Sequence, residues 1–179
     1  MRAFVAVAAL VGILAYVNVA IYKKEHHLKS GQTVLLELAP VDPRSLMQGD
    51  YMRLRFAVTN QLSEALRPDV PPEESRGLAP ADGWAVLTLE EGVGRFAGLA
   101  DSSVASEGVV HVAYRVRSGR VKFATDAYFF QEGTAEIYEN GRYGEFRIDA
   151  DGELLLIGLR DENKKRLGPA YNSEPAASN

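Results

Sequence analysis

The sequence contains no cysteine, which excludes disulfide bonds, thiolate nucleophiles and cysteine-rich zinc sites. Charge is almost absent from the first 22 residues, where Arg2 is the one charged side chain. Basic residues are also in the minority afterwards: residues 30–179 contain 16 Lys and Arg against 23 Asp and Glu, a net charge of −7. This acidic balance argues against nucleic-acid binding, because phosphates bind to basic surfaces.

The apolar segment 3–22 contains one strongly polar residue, Asn18. A helix of this length spans roughly 30 Å, the thickness of the hydrocarbon core of a bilayer. The alternative is a signal peptide cleaved after Ala20. The apolar run continues through Ile21 and Tyr22, however, and is longer than the apolar region of a signal peptide. We therefore predict an uncleaved, single-pass anchor in the lipid bilayer.

The charges that flank the apolar segment are ambiguous about its orientation. Arg2 precedes it, and Lys23, Lys24 and Lys29 follow it. Counted literally, the positive-inside rule keeps the following domain in the cytoplasm, whereas a short N-terminus with one arginine is the usual start of an export signal. The residues alone leave both orientations open.

Three segments are predicted: an anchor with its flank (residues 1–29), a β-rich domain (30–167) and a disordered tail (168–179). The clearest strand is Tyr51–Thr59, in which alternate residues are apolar. Seven or eight short strands indicate a mainly β domain, an antiparallel sandwich or a small barrel, after one transmembrane helix. The other predicted elements are hairpins at 83–99, 110–125 and 146–157, a connection at 60–82 with one helical turn at 63–66, and a short helix at 134–143.

The segment PVDPRSLMQGDY, residues 40–51, brings carboxylates, an arginine, a serine and a tyrosine into one loop. One interpretation is that this loop forms the rim of a binding or catalytic site. The other is that it is a structural turn stabilised by its own side chains. In the second interpretation Asp42 caps a turn, Arg44 pairs with Asp50, and Gly49 provides a positive φ. The residues of the candidate binding or structural motif are Asp42, Pro43, Arg44, Gly49, Asp50, Tyr51 and Leu54.

These residues resemble the signature of the GDYXXLXY family of membrane-anchored bacterial envelope proteins. Gly49, Asp50, Tyr51 and Leu54 match the motif, and Phe56 replaces its last tyrosine. The block YFFQEGTAEIYENGRYGEFRIDADG, residues 128–152, also fits the family. The resemblance implies a single-pass protein of the bacterial inner membrane with a periplasmic domain. It also implies an association with multi-pass membrane proteins, and it carries no established activity.

A fainter similarity to signal peptidases supplies the alternative function, a serine hydrolase. In that hypothesis Ser45 is the nucleophile and Lys122 is its base, which must be neutral and held in an apolar setting. The Ser-Met-x-Pro segment of those enzymes is absent, and Lys122 alternates with Arg120 on a predicted hairpin, where solvent keeps it protonated. A triad through His111 fits no better, because His111 lies on the polar face of its strand. We therefore expect a protein without enzymatic activity.

The leading hypothesis is a tethered interaction domain for a multi-pass membrane protein, with residues 40–51 and 128–143 as its contacts. The aromatic run Tyr128–Phe130 contributes either to the contact or to the core. A third hypothesis is a small-ligand sensor, if the sheet closes into a barrel with an open mouth. We expect no cofactor. We also expect no metal site, because the neighbouring His26 and His27 point in different directions on a helix and are predicted to be solvated.

Overall fold

The structure is a computed structural model that describes residues 2–39, 47–48, 51–67, 78–102 and 108–169. Three helices lie in these ranges: α1 (Arg2–Ser30), α2 (Ala57–Ala65) and α3 (Ala135–Tyr138). The strands are β1 (Gln32–Glu37), β2 (Met47–Gln48), β3 (Tyr51–Arg53), β4 (Ala81–Glu90), β5 (Val93–Ala100), β6 (Val109–Arg117), β7 (Arg120–Lys122), β8 (Ala127–Phe129), β9 (Tyr143–Ile148), β10 (Leu154–Arg160) and β11 (Arg166–Leu167).

The first helix, α1, carries the predicted membrane segment. Its apolar window has a mean hydropathy of 2.5, and none of that window is buried inside the molecule. Within the described residues, α1 is the one helix that is long and apolar enough to cross a membrane, and a signal sequence has the same character. The helix ends at Ser30, and the next residue is a glycine because a Cβ at position 31 would lie 2.6 Å from the carbonyl oxygen of His27.

The prediction that His26 and His27 are both solvated is wrong for one of them. His26 is exposed, whereas His27 has only 3% of its surface exposed because the last turn of α1 packs against β9. Sequence position alone did not indicate this burial, since it depends on a strand 120 residues further along the chain.

Within the described ranges, eight strands form one mixed sheet in the order β11-β10-β9-β1-β5-β4-β6-β7, and three form a small sheet in the order β2-β3-β8. Every described strand pair is antiparallel except β1 with β5, which are parallel where Leu35 lies beside Val93. The mainly β class is therefore confirmed, but the large sheet does not close into a barrel, which leaves β7 and β11 as edges. Both sheets contribute side chains to one hydrophobic core.

The predicted long strand Tyr51–Thr59 is wrong in its second half. The strand ends at Arg53, and helix α2 begins at Ala57 after the extended residue Phe56, whose φ is −108°. The predicted alternation of burial is nevertheless present, because Met52, Leu54, Phe56 and Val58 are each at most 5% exposed. Val58 and Leu62 are four residues apart and share the buried face of α2, so a helix also satisfies the apolar pattern.

The predicted hairpins are confirmed, and their turn residues explain them. Glu91 and Gly92 between β4 and β5 have φ values of 49° and 81°, and Ser118 and Gly119 between β6 and β7 have values of 54° and 72°. Positive φ at both central residues matches the right-handed twist of the flanking strands. The predicted helix at 134–143 is shorter than expected: it spans Ala135–Tyr138, and β9 begins at Tyr143. The predicted tail lies outside the described residues from 170 onward.

Candidate functional site

Two of the seven motif residues, Tyr51 and Leu54, lie in the described part of the chain. Leu54 is 5% exposed, and its backbone N–H donates to the carbonyl of Asp126 at 2.9 Å, so it is a core residue. Tyr51 is half-buried in β3, the central strand of the small sheet, where it pairs with Phe129 of β8. The predicted site residues Asp42, Pro43, Arg44, Gly49 and Asp50 lie outside the described residues, as does Ser45.

A cleft of about 1170 Å³ begins at Tyr51 and runs between α2 and the segment that contains β7 and β8. Its walls come from three parts of the chain that are distant in sequence: residues 51–67, Leu78, and residues 119–127. The floor is apolar, since Leu54, Phe56 and Phe123 line the cleft and belong to the core. The cleft thus combines an apolar base with a rim of longer, polar side chains.

The rim of the cleft is basic although the domain as a whole is acidic. One carboxylate, that of Asp126, lines the cleft among the described residues, and its partner is Lys122 at 4.0 Å. The other cations, four arginines, form neither an ion pair nor a side-chain hydrogen bond within the described ranges. An arginine remains charged at any physiological pH. The cations that line the cleft are Arg53, Arg55, Arg67, Arg120 and Lys122.

The aromatic run Tyr128–Phe130 divides between the surface and the core. Tyr128 and Phe130 each pack their rings 5.2 Å from the ring of Tyr138, as expected of core residues. Phe129 points the other way, is 74% exposed, and lies 5.7 Å from the ring of Tyr51. Burial and a hydrogen bond with Tyr138 raise the pKa of Tyr128 to about 12. The exposed Phe129 and the half-buried Tyr51 therefore form an aromatic pair, and Tyr51 lines the cleft.

The surroundings of the candidate catalytic bases bear on the hydrolase hypothesis. The Lys122 side chain is 60% exposed and lies beside the Asp126 carboxylate, whereas the serine–lysine mechanism requires a lysine in an apolar setting. His111 directs Nδ1 at the carbonyl oxygen of Ser102, 2.7 Å away. Ser45 lies outside the described residues, so its geometry relative to Lys122 does not test the mechanism. The serine hydrolase therefore stays an alternative hypothesis.

The sequence contained a weak signal for the basic cleft. Arg53 and Arg55 alternate on the exposed side of the motif segment, but a wet strand face explained them equally well. Arg120 and Lys122 both belong to β7, which lies more than 50 residues after Arg67 in the sequence. Only the tertiary fold brings these cations to one cleft.

A family model described as GDYXXLXY protein matches residues 13–159. The match begins inside α1 and ends inside β10, so it covers every residue that lines the cleft and all strands except the last residue of β10 and strand β11. No curated protein and no solved structure matches the chain.

Proposed function

Because the chain belongs to the GDYXXLXY protein family, we propose that it is a membrane-anchored, non-enzymatic binding domain whose basic cleft holds an acidic, partly apolar segment of a partner. The partner in this proposal is a multi-pass membrane protein. Helix α1 lies in the bacterial inner membrane, and the domain lies in the periplasm, as the motif resemblance implies. The observation that carries the proposal is the group of four arginines without partners in the described residues, set around an apolar floor.

The electrostatics of the cleft favour an acidic segment. A charge-assisted hydrogen bond from an arginine to a carboxylate contributes about 1.5–3 kcal/mol. Guanidinium groups bind carboxylates through two parallel N–H donors, which adds directional specificity. The four arginines are exposed, and a group of positive charges on the wall of a cleft attracts anions from solution. Carboxylates of a partner segment are such anions.

The aromatic pair gives the proposed interface an apolar anchor. Exposed aromatic rings beside a cleft are typical of residues that carry much of the binding free energy in protein complexes. Phe129 is 74% exposed and its ring rests on Tyr51, a residue of the family motif. Its position also agrees with the expectation that residues 128–143 contribute to the contact. Anchoring by α1 supports a membrane partner, since tethering raises the effective concentration of neighbouring membrane proteins.

The test is co-purification from gently solubilised membranes, with full-length protein and variants that reverse one charge. Arg55→Glu and Arg120→Glu change the cleft. Lys165→Glu makes the same change of two charge units at an exposed residue in the turn between β10 and β11. We expect one membrane protein to co-purify with wild type and with Lys165→Glu, and to be lost from both cleft variants. Equal recovery in all four samples, or no partner with wild type, contradicts the proposal.

A second pair of variants separates binding from hydrolysis. The binding proposal expects Asp50→Ala to lose the partner, because Asp50 belongs to the motif, and Ser45→Ala to retain it. If Ser45→Ala alone causes uncleaved envelope precursors to accumulate while no partner is found, the serine hydrolase replaces the binding domain.

A further inference from the structure

The last turn of α1 meets the turn between β9 and β10, and three potential metal ligands converge there. His27 comes from α1, and Asp149 and Glu153 come from the turn. One ligand atom of each residue lies within 4.8 Å of the others. We propose that these three residues bind one divalent transition-metal ion at the junction between the anchor helix and the β domain. The proposal is independent of the basic cleft and of its partner.

The orientation of His27 is the first argument. Its Nε2 lies 2.8 Å from the carbonyl oxygen of Arg147. A carbonyl oxygen only accepts hydrogen bonds, so Nε2 carries a proton and donates it. In the neutral ring Nδ1 then presents its lone pair. Metal-binding histidines are usually held in this way, with the second ring nitrogen donating to a carbonyl or a carboxylate.

The second argument is the contact that Nδ1 makes. The side chain of His27 is 3% exposed, and its Nδ1 lies 3.3 Å from Oδ2 of Asp149. This separation is longer than the usual N–H···O distance of about 2.7–3.2 Å. In the neutral ring with its proton on Nε2, Nδ1 and the carboxylate are both electron-pair donors, and they face each other where the imidazole is buried and Asp149 is 25% exposed. A cation shared by both atoms removes the repulsion between them.

The turn holds Asp149 in position for this role. Its Oδ1 accepts backbone N–H groups from Asp151 at 3.1 Å and from Glu153 at 2.8 Å. Oδ2 stays directed at His27. The guanidinium of Arg147 is kept away from the carboxylates, because its Nη1 donates to Gly31 O at 2.9 Å and to Thr33 Oγ1 at 2.7 Å.

Glu153 is the exposed member of the three proposed ligands, and its carboxylate forms an ion pair with Lys24 in this structure. Lys24 Nζ lies 3.0 Å from Glu153 Oε2, and the two side chains are 55% and 60% exposed. An exposed ion pair of this kind contributes less than about 1 kcal/mol, so a metal ion displaces the ammonium at little cost. One imidazole with two carboxylates suits zinc and similar divalent ions better than calcium, which takes six or more oxygen ligands.

The test is calorimetric titration of Zn²⁺ into full-length protein in detergent micelles, after chelator treatment and without a histidine tag. The ligand variants are His27→Gln and Asp149→Asn, which keeps the Oδ1 acceptor of the turn. His26→Gln, which removes the exposed neighbouring imidazole, is the matched control. We expect one Zn²⁺ per chain for wild type and for His26→Gln, and affinity lowered by about tenfold or more in both ligand variants.

Thermal unfolding separates a lost ligand from a lost fold. Zn²⁺ is expected to raise the unfolding temperature of wild type and of His26→Gln, but not that of Asp149→Asn, whose metal-free unfolding temperature stays near that of wild type. The proposal is overturned if wild type binds no stoichiometric Zn²⁺, or if Asp149→Asn binds it with wild-type affinity.

Discussion

Arg160 in β10 donates a 2.7 Å hydrogen bond from Nη2 to Oε1 of Glu145 in β9, and this carboxylate is only 6% exposed. Arg166 approaches the same carboxylate from β11, with its Nη2 3.0 Å from Oε2. One buried negative charge therefore joins three neighbouring strands near the edge of the large sheet. The two arginines are 29% and 25% exposed, so solvent shares part of their charge.

Glu145→Gln is expected to lower the free energy of unfolding by roughly 2 kcal/mol. Removing one partner of a buried ion pair costs about 3–5 kcal/mol, and the partial exposure of Arg160 and Arg166 reduces that cost. The measurement is denaturant unfolding in micelles, followed by the fluorescence of the one tryptophan, Trp84. The control is Glu90→Gln, which breaks the exposed pair with Arg95 and should cost less than about 1 kcal/mol. Equal effects would show that the buried cluster does not stabilise the sheet.

Leu62→Ala tests the packing of α2. Leu62 is fully buried, and truncating a buried leucine costs about 2–5 kcal/mol because a cavity remains. Leu99→Ala is the control, because Leu99 is 46% exposed. We expect the control to change stability by less than about 1 kcal/mol. If the two variants have the same unfolding midpoint, α2 does not contribute to the core as described.

The raised pKa of Tyr128 predicts that the folded protein loses stability at high pH. Its folded pKa of about 12 lies above the unfolded value near 10.0, so the unfolded chain loses the proton first as pH rises. The stabilisation is therefore complete below about pH 10 and is lost progressively up to about pH 12. The measurement compares unfolding at pH 9 and about pH 11 for wild type and Tyr128→Phe.

The decline between those two pH values should be smaller in Tyr128→Phe, which has no phenol to ionise. Tyr16→Phe removes a phenol from α1, outside the β domain, and should decline as wild type does. A decline of the same size in all three proteins would contradict the assignment to Tyr128.

The anchor is expected to remain attached to the mature protein. Intact mass measurement of protein purified from membranes should therefore include residues 1–20, and alkaline carbonate should leave the protein in the membrane fraction. A mass that corresponds to a chain starting at Ile21, together with release by carbonate, would identify a signal peptide cleaved after Ala20.

Because the chain contains no cysteine, a single introduced thiol reports the orientation directly. Lys165→Cys places that thiol in an exposed turn of the β domain. A periplasmic domain is expected to react with a membrane-impermeant maleimide in cells whose outer membrane has been permeabilised. Wild type is the unlabelled control, and labelling that appears only after lysis would assign the domain to the cytoplasm.

Local chemistry accounts for the features that the sequence by itself determined. The membrane segment follows from a stretch of twenty residues in which Asn18 is the one strongly polar side chain. The hairpins follow from turn residues such as Gly92 and Gly119, which adopt positive φ at low cost. Residues 52–58 show the limit of local reasoning. Their alternate apolar residues are all buried, but the same pattern accommodates a strand that gives way to helix α2, and only packing decides between the two.

The tertiary structure alone decided the features that depend on distant contacts. Strand β5 lies parallel to β1 because the whole β4–β5 hairpin docks there, and no local pattern encodes that neighbour. His27 is buried by a strand 120 residues away, and the arginines of the cleft come from separate elements. Each of these outcomes depends on which surfaces meet when the chain collapses. The net charge of −7 is a sum over all residues from 30 onward and contains no information about where the positive charges gather.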